Sequence, residues 1–196
     1  MPAILVAMAS GGLPGCAASP GTPSHTPIVR ETPESLVKQA EALAHLGETI
    51  RAEQYFSAAL EMGGSAEVIL PKLVSVCVRA GRVRSAVSYA APHLRQQPEN
   101  VSLRYLMATL YAGLGELNRA NRELEQILAR NPEHVLALRL SGMLALERGD
   151  YITAEKRLQA FLLLEPTGPN ASAVREELQQ IQAAPASAAA VREEAL

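Results

Sequence analysis

Residues 101–134, VSLRYLMATLYAGLGELNRANRELEQILARNPEH, and residues 135–168, VLALRLSGMLALERGDYITAEKRLQAFLLLEPTG, lie over one another without a gap. Gly115 falls on Gly149, Ala120 on Ala154 and Pro132 on Pro166. Moving toward the N-terminus by the same 34 residues extends these columns to Gly81 and Gly47, to Ala86 and Ala52, and to Pro98. Three columns that share one period of this length are the mark of a stacked repeat array.

Each column answers a geometric demand. The glycines stand where a helix ends and the chain turns back, a place that favours a residue able to take positive φ. The alanines follow five residues later, early in the returning helix, where a small side chain lets two helices approach. Pro98, Pro132 and Pro166 separate one unit from the next, because proline suits a first helical turn and not a helix interior. One unit reads as helix, tight turn, helix, linker.

The residues resemble the tetratricopeptide repeat, whose pattern runs through L-G, Y, A-x3-F and a closing P. Residues 135–168 carry Leu138, Gly142, Ala154, Leu158 and Pro166, and residues 101–134 carry Ala108, Tyr111, Ala120, Leu124 and Pro132. Residues 67–100 keep Leu70, Leu73, Ala86 and Pro98 but put Val74, Cys77 and Ala90 at the glycine, tyrosine and phenylalanine positions. Residues 33–66 carry Leu36, Ala40, Leu43, Ala52 and Phe56, with Gly64 where proline is expected. The resemblance implies an all-α, right-handed α-solenoid of four helix-turn-helix units, 33–66, 67–100, 101–134 and 135–168.

The helical spacing of apolar residues over 34–46 and 50–62 agrees with that plan. Core candidates in the later units are Tyr111, Leu114, Leu117, Leu124, Ile127 and Leu128, then Leu138, Ala145, Leu146, Leu158, Phe161 and Leu162. Two prolines interrupt the second unit. Pro71 is expected in the first turn of its helix, and Pro92 is expected to kink the following helix or end it early. Val174, Leu178 and Ile181 make residues 169–182 a capping helix, needed because a last repeat exposes its apolar face. The Ala-rich tail, 183–196, reads as disordered.

Net charge is −2, which excludes the strong basic excess of a nucleic-acid binder. The balance is uneven between units: residues 33–66 hold two basic and five acidic side chains, residues 67–100 five and two. Either the neighbouring units attract one another or the charge marks a docking surface. Cys16 and Cys77 are the only cysteines, and Cys77 stands at a packing position where a free thiol acts as a small apolar group.

No charged side chain precedes Arg30. Ala3 to Ala9 form an apolar run of the length of a signal-peptide core, shorter than the about 20 residues that span a bilayer. Leu13-Pro14-Gly15-Cys16 resembles the bacterial lipobox, although no Lys or Arg precedes the run and proline is unusual in the box. On this reading 1–16 is a signal peptide ending at a lipidated Cys16. The Pro/Ser/Thr-rich 17–32 is then a flexible tether, and the resemblance implies an outer-membrane, periplasmic-side location, with Ala17 rather than aspartate after the cysteine. The alternative is a disordered leader on a soluble cytoplasmic adaptor, or a regulatory module of a larger complex.

No phosphate loop, H-E-x-x-H, metal-spaced cysteine pair or nucleophile elbow occurs, so neither catalysis nor a cofactor or metal is expected. His25, His45, His93 and His134 read as solvated side chains. Members of the family carry a protein or peptide segment in a groove lined by the first helix of each unit. The matching positions here include Val37, Glu41, Val78, Tyr105, Thr109, Arg139 and Met143, with Tyr105, Arg139 and Met143 as anchors. The cationic clamp of chaperone adaptors is missing, since Val37, Glu41, Lys72, Ser102 and Leu106 stand at its positions. An apolar or amphipathic partner segment is expected instead, unless the capping helix covers Leu136, Met143 and Leu146. Lipobox, tether and repeats together resemble the plan of pilotin lipoproteins that help envelope complexes assemble.

Overall fold

The computed structural model describes residues 31–183; the expected signal peptide 1–16 with Cys16, most of the expected tether and the tail from 184 onward lie outside the described residues. Among these residues there are nine helices and no strand: α1 Pro33–His45, α2 Thr49–Glu61, α3 Ala66–Arg79, α4 Val83–Gln96, α5 Val101–Gly113, α6 Leu117–Arg130, α7 Val135–Glu147, α8 Tyr151–Leu164 and α9 Ala171–Ala183. Each helix packs on its neighbour in the chain, and α5 also touches α7, so first helices of successive units lie side by side.

The turns inside the units share one construction. Gly47, Gly81, Gly115 and Gly149 take φ of 81°, 70°, 71° and 76°. In each the glycine N–H and the next residue's N–H fold back onto two carbonyls of the preceding helix, as in Gly149 to Leu146 O and Asp150 to Ala145 O, both 2.9 Å. That pair of bonds satisfies the orphan carbonyls of the helix end and reverses the chain.

Starts are capped by side chains. Thr32 Oγ1 accepts from Ser35 N at 3.2 Å, Asn100 Oδ1 from Leu103 N at 3.0 Å, His134 Nδ1 from Ala137 N at 3.2 Å and Asp150 Oδ1 from Thr153 N at 3.1 Å. Thr32, Asn100 and His134 share one register of the repeat.

The join between the first and second units breaks the pattern. A further glycine turn occurs at Gly63, φ 84°, where the later units use an extended residue and proline. A Cβ on Gly64 would stand 2.6 Å from Ile69 Cδ1 and 2.7 Å from the Ala59 carbonyl oxygen, so no proline fits that position. This turn starts α3 at Ala66. Pro71 lies inside that helix, not in its first turn, and takes away the i→i−4 partner of the Glu67 carbonyl. Pro92 does not end α4 early: the helix runs 14 residues, like α6 and α8. Ser88 and Pro92 are both exposed, so water can replace the lost bond.

The core forms two adjoining clusters, with Tyr111 packed against both. Within it the departures of the second unit have a packing logic. Gly142 sits so close to α8 that an added Cβ would lie 2.6 Å from Leu158 Cδ2. At the same two register positions stand Ala40 and Phe56, Val74 and Ala90, and Ala108 and Leu124, all buried. A larger residue on one helix goes with a smaller one on the other, which keeps the interior close-packed. Leu117, Leu146, Leu162 and Tyr111 are partly buried rather than fully enclosed. In α9, Val174, Leu178 and Ile181 are buried and α9 packs on α8.

The uneven charge of the first two units resolves into contacts between them. Lys72 of α3 pairs with Glu41 of α1, and Arg82 pairs with Glu53 of α2. Glu53 is only 8% exposed and also accepts from the Tyr89 hydroxyl at 3.1 Å. Attraction between neighbours is thus realised, and breaking such a shielded pair from one side costs more than breaking an exposed one.

Candidate interaction groove

First helices of the units present one row of side chains at the register of Val37, Pro71, Tyr105 and Arg139, and a second at Glu41, Ser75, Thr109 and Met143. Both rows are exposed or half-buried. Tyr105 and Thr109 meet in a recess of about 440 Å³ between α3 and α5. Leu70, Pro71, Leu103 and Leu106 give it an apolar lining, and Glu67, His93, Gln97, Asn100 and Ser102 a polar one. Glu41 lines a second recess of about 410 Å³, with Ala44, Pro71, Lys72, Ser75 and Arg79, but its carboxylate is taken by Lys72. Pro71 belongs to both recesses.

Further along, Arg139 Nη1 reaches Met143 Sδ at 3.6 Å, so these two side chains lie together on α7. The Tyr105 ring stands 6.1 Å from that of His134, which links α5 to the start of α7. Val37 is half-buried against the core, and Val78 is 47% exposed; neither lines either of these two recesses. The capping helix leaves the last unit's row open, since Leu136 is 47% and Met143 37% exposed.

Repeat spacing assigns α4 to the outer layer, yet His93 and Gln97 from its C-terminal end help to wall the recess at Tyr105. Glu67, in the first turn of α3, also lines it and is not marked by the spacing of the two rows. Pro71 falls where the repeat spacing puts an inner-face residue, one repeat from both Val37 and Tyr105.

Among the described residues no group of His, Cys, Asp and Glu is placed to hold a metal ion, and no helix is long and apolar enough to cross a membrane. The Cys77 thiol is fully buried, and burial pushes its pKa up to about 11, so it is a packing group rather than a nucleophile.

Residues 78–144 match the family model of the tetratricopeptide repeat. No curated protein matches the chain by sequence. Among solved structures, a tetratricopeptide repeat protein from Parabacteroides merdae is 24% identical, with a TM-score of 0.67, over 76% of this chain and 60% of that one. The chain thus spans 60% of that protein's resolved length. YrrB, a TPR protein with an unusual peptide-binding site, is 16% identical with a TM-score of 0.62 over 74% of each chain. The first TPR of Spaghetti (RPAP3), bound to an HSP90 peptide, is 21% identical with a TM-score of 0.52, over 59% of this chain and 89% of that one. These likenesses are of fold. With the matched stretch reaching from the second unit into the fourth, and the likeness of fold to these structures, residues 78–144 carry tetratricopeptide repeats and the described helices form a solenoid of that fold.

Proposed function

We propose that the protein is a non-enzymatic scaffold that holds a segment of another protein against the row formed by α1, α3, α5 and α7. The observation that carries this reading is the recess at Tyr105 and Thr109, lined by both apolar and polar side chains, with Met143 and Leu136 exposed on the first helix of the next unit. Apolar side chains left uncovered in a row, with hydrogen-bonding groups beside them, suit an amphipathic segment laid in a groove. Two proteins of this fold, YrrB and the Spaghetti repeat, are themselves peptide binders, which supports the same use here. The missing cationic clamp separates the two cases in chemistry, since Lys72 is paired with Glu41.

The test is selection of 12-residue peptides from a displayed random library on the full chain, followed by affinity measurement. Tyr105→Ala and Met143→Ala are each expected to weaken a selected peptide about ten-fold, the effect of removing a well-packed anchor. Unchanged affinity in both variants would refute the assignment of the groove.

The reading extends to location: the Leu13 to Cys16 tetrapeptide supports a lipid anchor on the periplasmic face of the outer membrane, from which the repeats assist an envelope complex. Mass spectrometry of the mature protein decides it. An acylated N-terminal Cys16 is expected; an N-terminus at Met1 or Pro2 would place the scaffold in the cytoplasm.

A further inference from the structure

We propose that the recess between α3 and α5 receives a Lys or Arg side chain of the bound protein segment, so that the partner is recognised by one basic residue set in an apolar stretch. This rests on the groove being the binding surface.

Four observations converge. First, Glu67 lines the recess, and its carboxylate has no hydrogen-bond or ion-pair partner among the described residues. Second, Pro71 one turn later has no N–H, so the Glu67 carbonyl lacks its ordinary helical partner beside that carboxylate. Third, no Lys or Arg among the described residues lines the recess. The cations on its flanks are engaged elsewhere: Arg104 of α5 is held by Glu123 and the Pro98 carbonyl, and Lys72 of α3 by Glu41. Fourth, the C-terminal end of α4 contributes His93 and Gln97, and a helix C-terminus carries partial negative charge.

The remaining lining suits the stem of a long basic side chain. Leu70, Pro71, Leu103 and Leu106 offer an apolar bed for the methylenes, while the charged head can stay at the wetter rim. Tyr105 supplies an aromatic face, which attracts a cation, and its hydroxyl has no partner among the described residues. An acidic side chain entering here would meet the Glu67 carboxylate with no cation to offset it. The sign is therefore opposite to that of a clamp built for acidic C-termini.

The probe is an immobilised array of amphipathic 12-residue peptides in which each position in turn is Lys, Arg, Gln, Glu or norleucine, read with the full chain. At one position Lys and Arg are expected to exceed Gln by about three- to five-fold, the scale of a partly exposed ion pair. Glu67→Gln should erase that preference, Glu67→Lys should reverse it toward Glu, and Pro71→Ala should reduce it by returning the missing N–H. Circular dichroism and thermal midpoint of each variant show whether the fold is kept. Binding without a basic preference at any position, or a preference that survives Glu67→Gln, would overturn the inference while leaving the groove assignment standing. Absence of binding to every peptide, with Tyr105→Ala and Met143→Ala also without effect on peptides selected from the displayed library, would overturn both.

Discussion

Replacing Gly142 by Ala should destabilise the fourth unit even though alanine is the better helix former. On propensity alone the change stabilises by about 1 kcal/mol. Against that, the new methyl would lie 2.6 Å from Leu158 Cδ2 and 2.7 Å from Leu158 Cγ, about 1 Å inside ordinary carbon contact. Leu158 is 0% exposed and has no free space to turn into. Overpacking of this kind costs roughly 2 to 3 kcal/mol, which leaves a net loss of about 1 to 2 kcal/mol. Leu158→Ala alone empties a core site and should cost about 3 kcal/mol. In the double variant the methyl added at position 142 enters the vacated space, as Val74 does opposite Ala90 in the second unit. The pair should then be no less stable than Leu158→Ala alone, a coupling of about 2 kcal/mol. Urea unfolding followed by circular dichroism measures the cycle, with equal slopes required because repeat arrays can lose cooperativity. A Gly142→Ala protein more stable than the parent, or effects that add to within about 0.3 kcal/mol, would refute the close-approach argument.

Two further outcomes follow from named contacts. His134→Ala removes the acceptor for Ala137 N and should lower stability by about 1 kcal/mol, whereas His134→Asn, which copies Asn100, should keep it; thermal midpoints decide, and equal losses would deny the cap. Cys77 has its pKa raised by burial, so the folded state favours the neutral thiol. Its stabilising share is complete below the unfolded thiol's pKa of 9.0 and is lost as pH climbs toward about 11. Iodoacetamide at pH 8 should therefore modify Cys77 in urea and spare it in the folded chain, as read by peptide-resolved mass spectrometry; rapid native modification would contradict its burial.

Much of this architecture is legible in spacing because the repeat imposes discrete demands. A positive φ, as at Gly81, can be met by few residues, so the glycine column stands out. The alanine column is visible for a related reason: Ala52, Ala86, Ala120 and Ala154 are all fully buried where helices approach. What escapes a sequence reading is local and steric. The Gly63 and Gly64 turn replaces the proline linker and starts α3 one residue ahead of the register of α5 and α7. Nor does periodicity report that the C-terminal end of α4 reaches the recess beside Tyr105. Ion pairing is half legible: the charge imbalance is plain, but the choice of Glu53 for Arg82 and Tyr89 depends on which side chains meet across helices.

The claim on which the functional account turns is that partner protein lies along the first helices of the units and not along the second. Photo-crosslinking in the native host addresses it directly, with p-benzoylphenylalanine placed singly at Thr109 or Met143 in the row, and at exposed Gln54 or Gln126 on α2 and α6. The account predicts adducts to one and the same protein from Thr109 and Met143, and none from Gln54 or Gln126. Adducts from Gln54 and Gln126 with none from Thr109 and Met143 would contradict it.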